Sequence, residues 1–317
     1  MPLIHISRQG VVLPWVLLLL GTFFAVSAIA NEQKYTADPS SKPRWTLFSR
    51  GGYVHQFQSD LDDGGNFDAG RMFIQGGASY SVGPRRRVSF AVGFGRDRYN
   101  FSGGEGFAAL RPWERINQLR FSAPISWAVD ERWGIFFIPT VRFFAETGTD
   151  FEDSATGGVL AAFSYRFSDT LTLGPGLGVF SKLEDNASVF PILIVDWKIT
   201  DRLTLGTGRG LGATQGPGLT LSYQASGNWK LGLGGRYESL RFRLNDKHTA
   251  PGGVGEDRSF PLIASATYSQ GRELELSLLG GVELGGELRL EDSRGRKIAK
   301  ESYDAAPLLG FSFSYRF

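Results

Sequence analysis

The feature that most narrows what this chain can fold into is its periodicity. From Arg44 to Phe317 no segment keeps a 3.6-residue apolar period for three turns, whereas apolar residues recur at every second position to the end. Alternate side chains of a strand point to opposite faces, so each such run predicts a strand with one apolar face. In Gln118 to Val129 the apolar set is Leu119, Phe121, Ala123, Ile125, Trp127 and Val129, against Gln118, Arg120, Ser122, Pro124, Ser126 and Ala128. Met72, Ile74, Ala78, Tyr80 and Val82 alternate in the same way with Arg71, Gln75, Ser79 and Ser81, with Phe73 the exception. Between Glu273 and Glu291, Leu274, Leu276, Leu278, Val282, Leu284, Leu288 and Leu290 share one parity.

Connecting these runs gives about fourteen strands: 44–57, 68–82, 87–101, 115–129, 133–146, 156–168, 171–182, 188–200, 203–213, 218–226, 229–244, 258–269, 272–290 and 304–317. Short turns such as 83–86, 130–132, 168–170, 201–202, 227–228 and 270–271 alternate with longer loops at 58–67, 102–114, 245–257 and 291–303. Short turns on one side and long loops on the other are the pattern of an outer-membrane barrel. The expectation is an all-β, antiparallel, up-and-down transmembrane barrel over residues 44–317.

The remaining composition excludes other classes. Without Cys there is no disulfide scaffold and no thiolate metal site, and 34 basic against 32 acidic residues leave no global field for nucleic acid. Residues 1–30 carry an apolar run from Val11 to Val26 and end in Ala28-Ile29-Ala30, which reads as a cleaved secretory signal. Residues 31–43, polar and holding Pro39 and Pro43, read as a periplasmic linker.

The last eleven residues, "PLLGFSFSYRF", put Leu309, Phe311, Phe313, Tyr315 and Phe317 on one face. This resembles the C-terminal assembly signal of Gram-negative outer-membrane barrels, and implies outer-membrane lipid and the barrel-assembly machinery as partners. Such a greasy strand is explained by lipid contact better than by an edge in water. Three segments of the last third, "YESLRFRL" from Tyr237, "GGVGEDRSFPL" from Gly252 and "GGELRLEDSRG" from Gly285, together resemble an uncharacterised, domain-of-unknown-function family of bacterial outer-membrane β-barrels. The resemblance implies a fold and a membrane, with no activity attached.

The residues point to no catalytic centre, cofactor or metal site. His occurs at positions 5, 55 and 248; a rim protease or lipase would need His55 or His248 beside an Asp, and the acids near His55 (Asp60, Asp62, Asp63) read as a solvated loop. Asp60 to Asp68 supplies oxygen ligands for Ca²⁺, but Gly64 stands where the third ligand belongs. The glycines at 174, 176 and 178, and at 206, 208, 210 and 212, lie inside strands with no helix to follow, so they read as room in a narrow lumen or as easing tight bending of the wall, rather than as a nucleotide loop.

Assigning the greasy parity to lipid places Arg50, Arg71, Arg120, Arg142, Arg166, Arg236, Asp196, Glu275, Glu283 and Glu287 in the lumen. If these charges face each other across water, the barrel is a porin-like channel for small solutes; if they pair, they close it and leave a structural or adhesive barrel. Phe136, Ile138, Phe144, Leu160, Phe180, Phe190, Ile192 and Ile194 also point inward under this assignment, the basis for a third reading as a carrier of apolar solutes.

Overall fold

The computed structural model describes residues 44–207, 218–247 and 249–317. The expected signal segment, the linker, His248 and the glycines at 208, 210 and 212 lie outside the described residues. Within them the strand segments are β1 (Arg44–Asp60), β2 (Asn66–Val82), β3 (Arg86–Ser102), β4 (Arg115–Ser122), β5 (Ile125–Ala128), β6 (Trp133–Glu146), β7 (Ala155–Arg166), β8 (Leu171–Lys182), β9 (Asp185–Lys198), β10 (Leu203–Thr207), β11 (Gly218–Gln224), β12 (Trp229–Arg236), β13 (Glu238–Arg243), β14 (Val254–Gln270), β15 (Leu274–Glu291), β16 (Lys297–Tyr303) and β17 (Ala306–Arg316). One short helix, α1 (Gly106–Leu110), lies between β3 and β4.

Three staves come in two pieces, β4/β5, β12/β13 and β16/β17, so the seventeen segments build fourteen staves. The first break falls at Pro124, which has no N–H to donate. Neighbours pair antiparallel around the ring, and β1 pairs with both β2 and β17, which closes it. The barrel expected from the alternation is therefore the fold. The expected loops at 58–67, 245–257 and 291–303 are shorter than read, because β1, β2, β14 and β16 extend into them.

Side-chain acceptors tie the short turns. Asp130 Oδ1 accepts the backbone N–H groups of Arg132 and Trp133, both at 2.7 Å, and these bonds hold its carboxyl below the usual carboxylate range. Thr200 Oγ1 does the same for Arg202 and Leu203. Just above these turns an outward belt of rings circles the wall: Trp45 against Tyr80, Trp133 against Tyr165, Trp229 against Tyr268 and Tyr315 against Phe317. Aromatic rings collect at this depth because an apolar body and a polar edge suit a membrane interface. Between this belt and the loop side the outward positions are large and apolar, including Leu278, which is 69% exposed in the isolated chain.

Two sequence expectations need correcting. Leu288 and Leu290, expected to face lipid with Leu276 and Leu278, are fully buried in the interior. The cause is a bulge at Gly285, whose φ of +59° falls in the left-handed region; the β14–β15 register shifts there, and one extra residue flips every later side chain to the other face. Glu287 is flipped out by the same step, onto the face that carries Arg258 and Lys300. The second correction concerns Gly174, Gly176 and Gly178. A Cβ at Gly178 would strike the Phe190 ring and Leu160, and one at Gly176 would meet Ala162, so these glycines seat neighbouring side chains instead of opening the lumen.

A depth test follows from the parity. Replacing Leu278 by Arg should destabilise the barrel by about 2–4 kcal/mol if the site lies near the bilayer midplane. Arg at the inward Ser277 should cost less. Urea unfolding of both variants in lipid vesicles measures the difference, and equal costs would contradict the assignment of faces.

Candidate functional site

On the loop side the interior is filled. Leu61, Phe67, Tyr99, Phe107, Trp113, Phe242, Leu288, Leu290 and Tyr303 form one buried cluster, to which α1 contributes by folding inward. Trp113 is its hub, with the rings of Phe242, Phe107, Phe101 and Tyr99 at 5.2, 5.6, 5.8 and 5.9 Å. Below this cluster sits a buried ionic network. Arg71 of β2 donates to Glu283 of β15 and Asp257 of β14, each at 3.0 Å, and to Gln56 at 2.8 Å. Tyr99 and Tyr303 donate their hydroxyls to Asp257 at 2.7 and 3.0 Å. Two carboxylates thus share one guanidinium, and the phenol donors satisfy the lone pairs that it leaves open.

The wall also takes a short cut at this level. Above Tyr237, β13 remains laddered to β14 and touches β6, with Arg243 opposite Ala145 in a parallel bridge. These two strands belong to far-apart staves, so β13 crosses the lumen. Its outward-parity side chains then face the inside of the opposite wall. Arg241 donates to the carbonyl oxygen of Leu183 at 3.0 and 2.8 Å and pairs with Glu256 and Glu291, and Arg243 pairs with Glu184 at 2.6 Å. Glu256 and Arg241 share parity with lipid-facing Leu262 and Leu233, yet Glu256 is only 3% exposed.

Between β13 and the inner face of β6–β9 lies a small recess, open to solvent and lined among others by Arg142, Phe144, Phe180, Phe190, Ser239, Arg241 and Glu256. Phe180 and Phe190 of its lining also belong to a buried apolar cluster with Phe136, Ile138, Leu160, Ile192 and Ile194. Arg142 lies with its guanidinium carbon 4.3 Å from the Phe180 ring centroid and 5.6 Å from that of Phe144, and Arg120 approaches the same Phe144 ring at 5.5 Å.

The residues expected in the lumen therefore divide. Arg71 and Glu283 meet in the buried network, and Arg50, Arg120 and Arg142 lie below it, with Arg50 donating to Gln75 at 2.7 Å. Arg236 is buried; Arg166 and Asp196 lie toward the turn side, in register with Thr172 between them. Glu275 approaches Lys230 at 3.6 Å, and Glu287 belongs to the outer face. In the last strand Leu309, Phe311 and Phe317 are outward and exposed, and Phe313 and Tyr315 share their parity. Asp257, Tyr99, Tyr303, Trp113, Arg241 and Glu256 were not singled out from the sequence. The adjacent Glu256-Asp257 pair was the available signal, since in a strand it must send one carboxylate to each face. The His55 ring lies at 4.9 Å from Phe57 on the outer face, away from the loop acids, and Asp68 accepts from Asn100 at 2.8 Å. Among the described residues no group of three or more acids and imidazoles is placed to hold a metal.

The family model described as Domain of unknown function (DUF6268) matches residues 121–316, a longer stretch than the three motifs above. No curated protein matches the sequence. Among solved structures, the COG4313 outer membrane channel from Pseudomonas putida F1 is similar at 13% identity and a TM-score of 0.47, covering 88% of this chain and 98% of that one. A Pseudomonas aeruginosa FadL homologue gives 12% identity and a TM-score of 0.47, with 94% and 99% covered. The translocator domain of autotransporter NalP from Neisseria meningitidis gives 11% and 0.40, with 92% of each chain covered. The likeness is of barrel to barrel and carries nothing about a solute.

The Arg71 network makes a quantitative prediction. Arg71→Met leaves Asp257 and Glu283 buried without their counter-charge and should cost about 3–5 kcal/mol in unfolding free energy. Adding Asp257→Asn and Glu283→Gln to that variant should recover part of the loss, read from thermal melts of the three proteins side by side.

Proposed function

We propose that this chain, which belongs to the DUF6268 family of unknown function, passes small solutes across the outer membrane along an off-axis route through its barrel. The observation that carries the reading is the recess between β13 and the inner face of β6–β9. The axis on the loop side is occupied by the Trp113 cluster and the Arg71 network, which favours a path beside them and disfavours a wide, water-filled pore. Neutralising Glu283 should accordingly act on stability first, because that carboxylate is spent on Arg71 and Tyr303.

Purified protein in planar bilayers should show small, discrete conductance steps. Ser239→Trp, which places a large ring in the recess, should reduce them at least two-fold, whereas Ser239→Ala, which loses the same hydrogen bond to Glu256 without adding bulk, should not. Absence of any conductance in the wild type would favour the closed structural barrel instead.

The reading includes export through the cleaved signal at residues 1–30 and insertion by the barrel-assembly machinery through the last strand. Phe317 donates its N–H to the carbonyl oxygen of Leu47 at 2.9 Å, the last backbone bond of the closing seam. Deleting Phe317 should lower the amount of heat-modifiable folded protein in outer-membrane fractions several-fold. Unchanged levels would count against the C-terminal signal.

A further inference from the structure

The outward face of β3 changes character once along its length. Val88 and Phe90 are more than half exposed, Val92 and Phe94 continue the apolar parity, and Arg96, Arg98 and Asn100 then follow on the same face, with Asp97 and Tyr99 buried between them. Arg96 stands ten residues along the strand from Arg86, whose guanidinium carbon lies 4.9 Å from the Trp127 ring centroid at the turn end of the wall. A tilted strand needs about 9–11 residues to cross the hydrocarbon, so Arg96 and Arg98 emerge at the opposite, loop-side interface. In an outer-membrane barrel that side faces out of the cell.

The next stave brings a third cation to the same place. Across the β3–β4 ladder Arg98 stands opposite Arg115, and Arg96 opposite Asn117. Tyr99 donates its N–H to the carbonyl oxygen of Glu114 at 2.8 Å, which makes Arg98 and Arg115 a non-hydrogen-bonded pair, the closer antiparallel kind at about 4.5 Å between Cα atoms. Like charges directly opposite are destabilising in a sheet, and an anion bound between them removes that cost. On the β2 side Arg98 faces Gly70 and Arg96 faces Met72, so neither meets an acid there, and Asp68 is engaged by Asn100 at 2.8 Å. Arg96 donates to Asn117 at 2.9 Å, and Arg115 pairs with the half-exposed Glu114 at 3.0 Å, an exposed contact that contributes little. Among the described residues no carboxylate pairs with Arg96 or Arg98. Across the barrel, Arg258 stands ten residues from Tyr268 of the turn-side belt and so lies at the same height, but there the charges are neutralised within the protein: Arg258 pairs with Glu256 at 2.7 Å, Arg289 with Glu291 at 2.6 Å and Lys300 with Glu287 at 2.7 Å. Directly below the β3–β4 cluster the surface is apolar. Phe94 stands opposite Leu119 beside the exposed Met72, and the Arg96 guanidinium carbon lies 5.9 Å from the Phe94 ring centroid.

We propose that Arg96, Arg98, Arg115 and Asn117 form a docking site for the phosphorylated headgroup of an outer-leaflet glycolipid, whose acyl chains run down over Phe94, Met72 and Leu119. Guanidinium groups suit this partner because their forked N–H donors match a phosphate bidentately, and clusters of Arg at the membrane surface hold anionic headgroups. The apolar rung below supplies contact that a free inorganic anion cannot use. The site lies on the outer wall and does not depend on solute passage through the barrel.

The test is native mass spectrometry of the full barrel, titrated in detergent micelles with lipid A, with the same lipid stripped of its phosphates and with inorganic phosphate, beside thermal melts with and without lipid A. Lipid A should bind at least ten-fold tighter than either comparison compound and raise the melting temperature of the wild type. Arg98→Gln with Arg115→Gln should weaken lipid A at least ten-fold and abolish that rise. Arg98→Lys with Arg115→Lys should recover part of the affinity, because Lys keeps the charge and loses the fork. Lys300→Gln, whose amine is spent on Glu287, should leave the affinity within about two-fold of wild type. If the Gln pair yields no heat-modifiable folded band, the single Arg98→Gln variant carries the same comparison. Lipid A held as tightly by the Gln variants as by the wild type, or phosphate-stripped lipid held as tightly as lipid A, overturns the headgroup site. Inorganic phosphate bound as tightly as lipid A overturns the assignment to a lipid.

Discussion

Everything in this molecule depends on the need of each backbone N–H and C=O for a partner where no water is available. In hydrocarbon an open sheet edge costs several kcal/mol per unpaired group, so a strand protein can cross only as a closed ring. β1 supplies that closure by pairing with β2 on one edge and β17 on the other. Once the ring is closed, the two-residue period of the strands divides every side chain between lipid and lumen. The greasy parity, the turn-side belt of aromatic rings and the Asp and Thr acceptors in the turns are consequences of that division.

The interior faces the opposite problem, because a ring of this circumference encloses more space than its own wall can fill. The loop side solves it by bending the wall. β13 crosses to β6 and α1 folds inward, so that aromatic groups from many staves meet around Trp113. Burial of Arg71, Asp257 and Glu283 directly beneath is tolerable because the charged groups satisfy one another: the guanidinium serves both carboxylates and the two tyrosines donate to Asp257 as well. A partly satisfied version of the same network would be worse than an apolar filling. The bend also turns a patch of lipid-parity side chains, Arg241 and Glu256 among them, toward the opposite wall. That is why two surfaces of unlike character meet at one recess.

The fourteen staves, their order and most of their boundaries were legible in the sequence, because they follow from a local pattern of period two and from polar residues at the turns. That Arg71 and Glu283 fall on one side of the wall, where they meet at 3.0 Å, was legible for the same reason. Leu288, Leu290 and Glu287 were misread together. Their parity holds only while the ladder is regular, and the extra residue at Gly285 is invisible to a pattern that continues to alternate on both sides of it.

The sequence by itself thus determined that the chain is a membrane barrel, how many staves it has and which face of most of them meets lipid. These are one-dimensional properties, written residue by residue in the alternation. Which lumenal charges touch, which glycines are filled by a neighbour's ring and where the wall folds across its own interior were decided only by the tertiary structure. Arg71 meets Asp257 and Glu283 across large sequence separations, and Arg50 aligns with Arg142 only through four successive registers. Such contacts depend on how far each strand slides against the next, and that slide is fixed by closure of the ring as a whole.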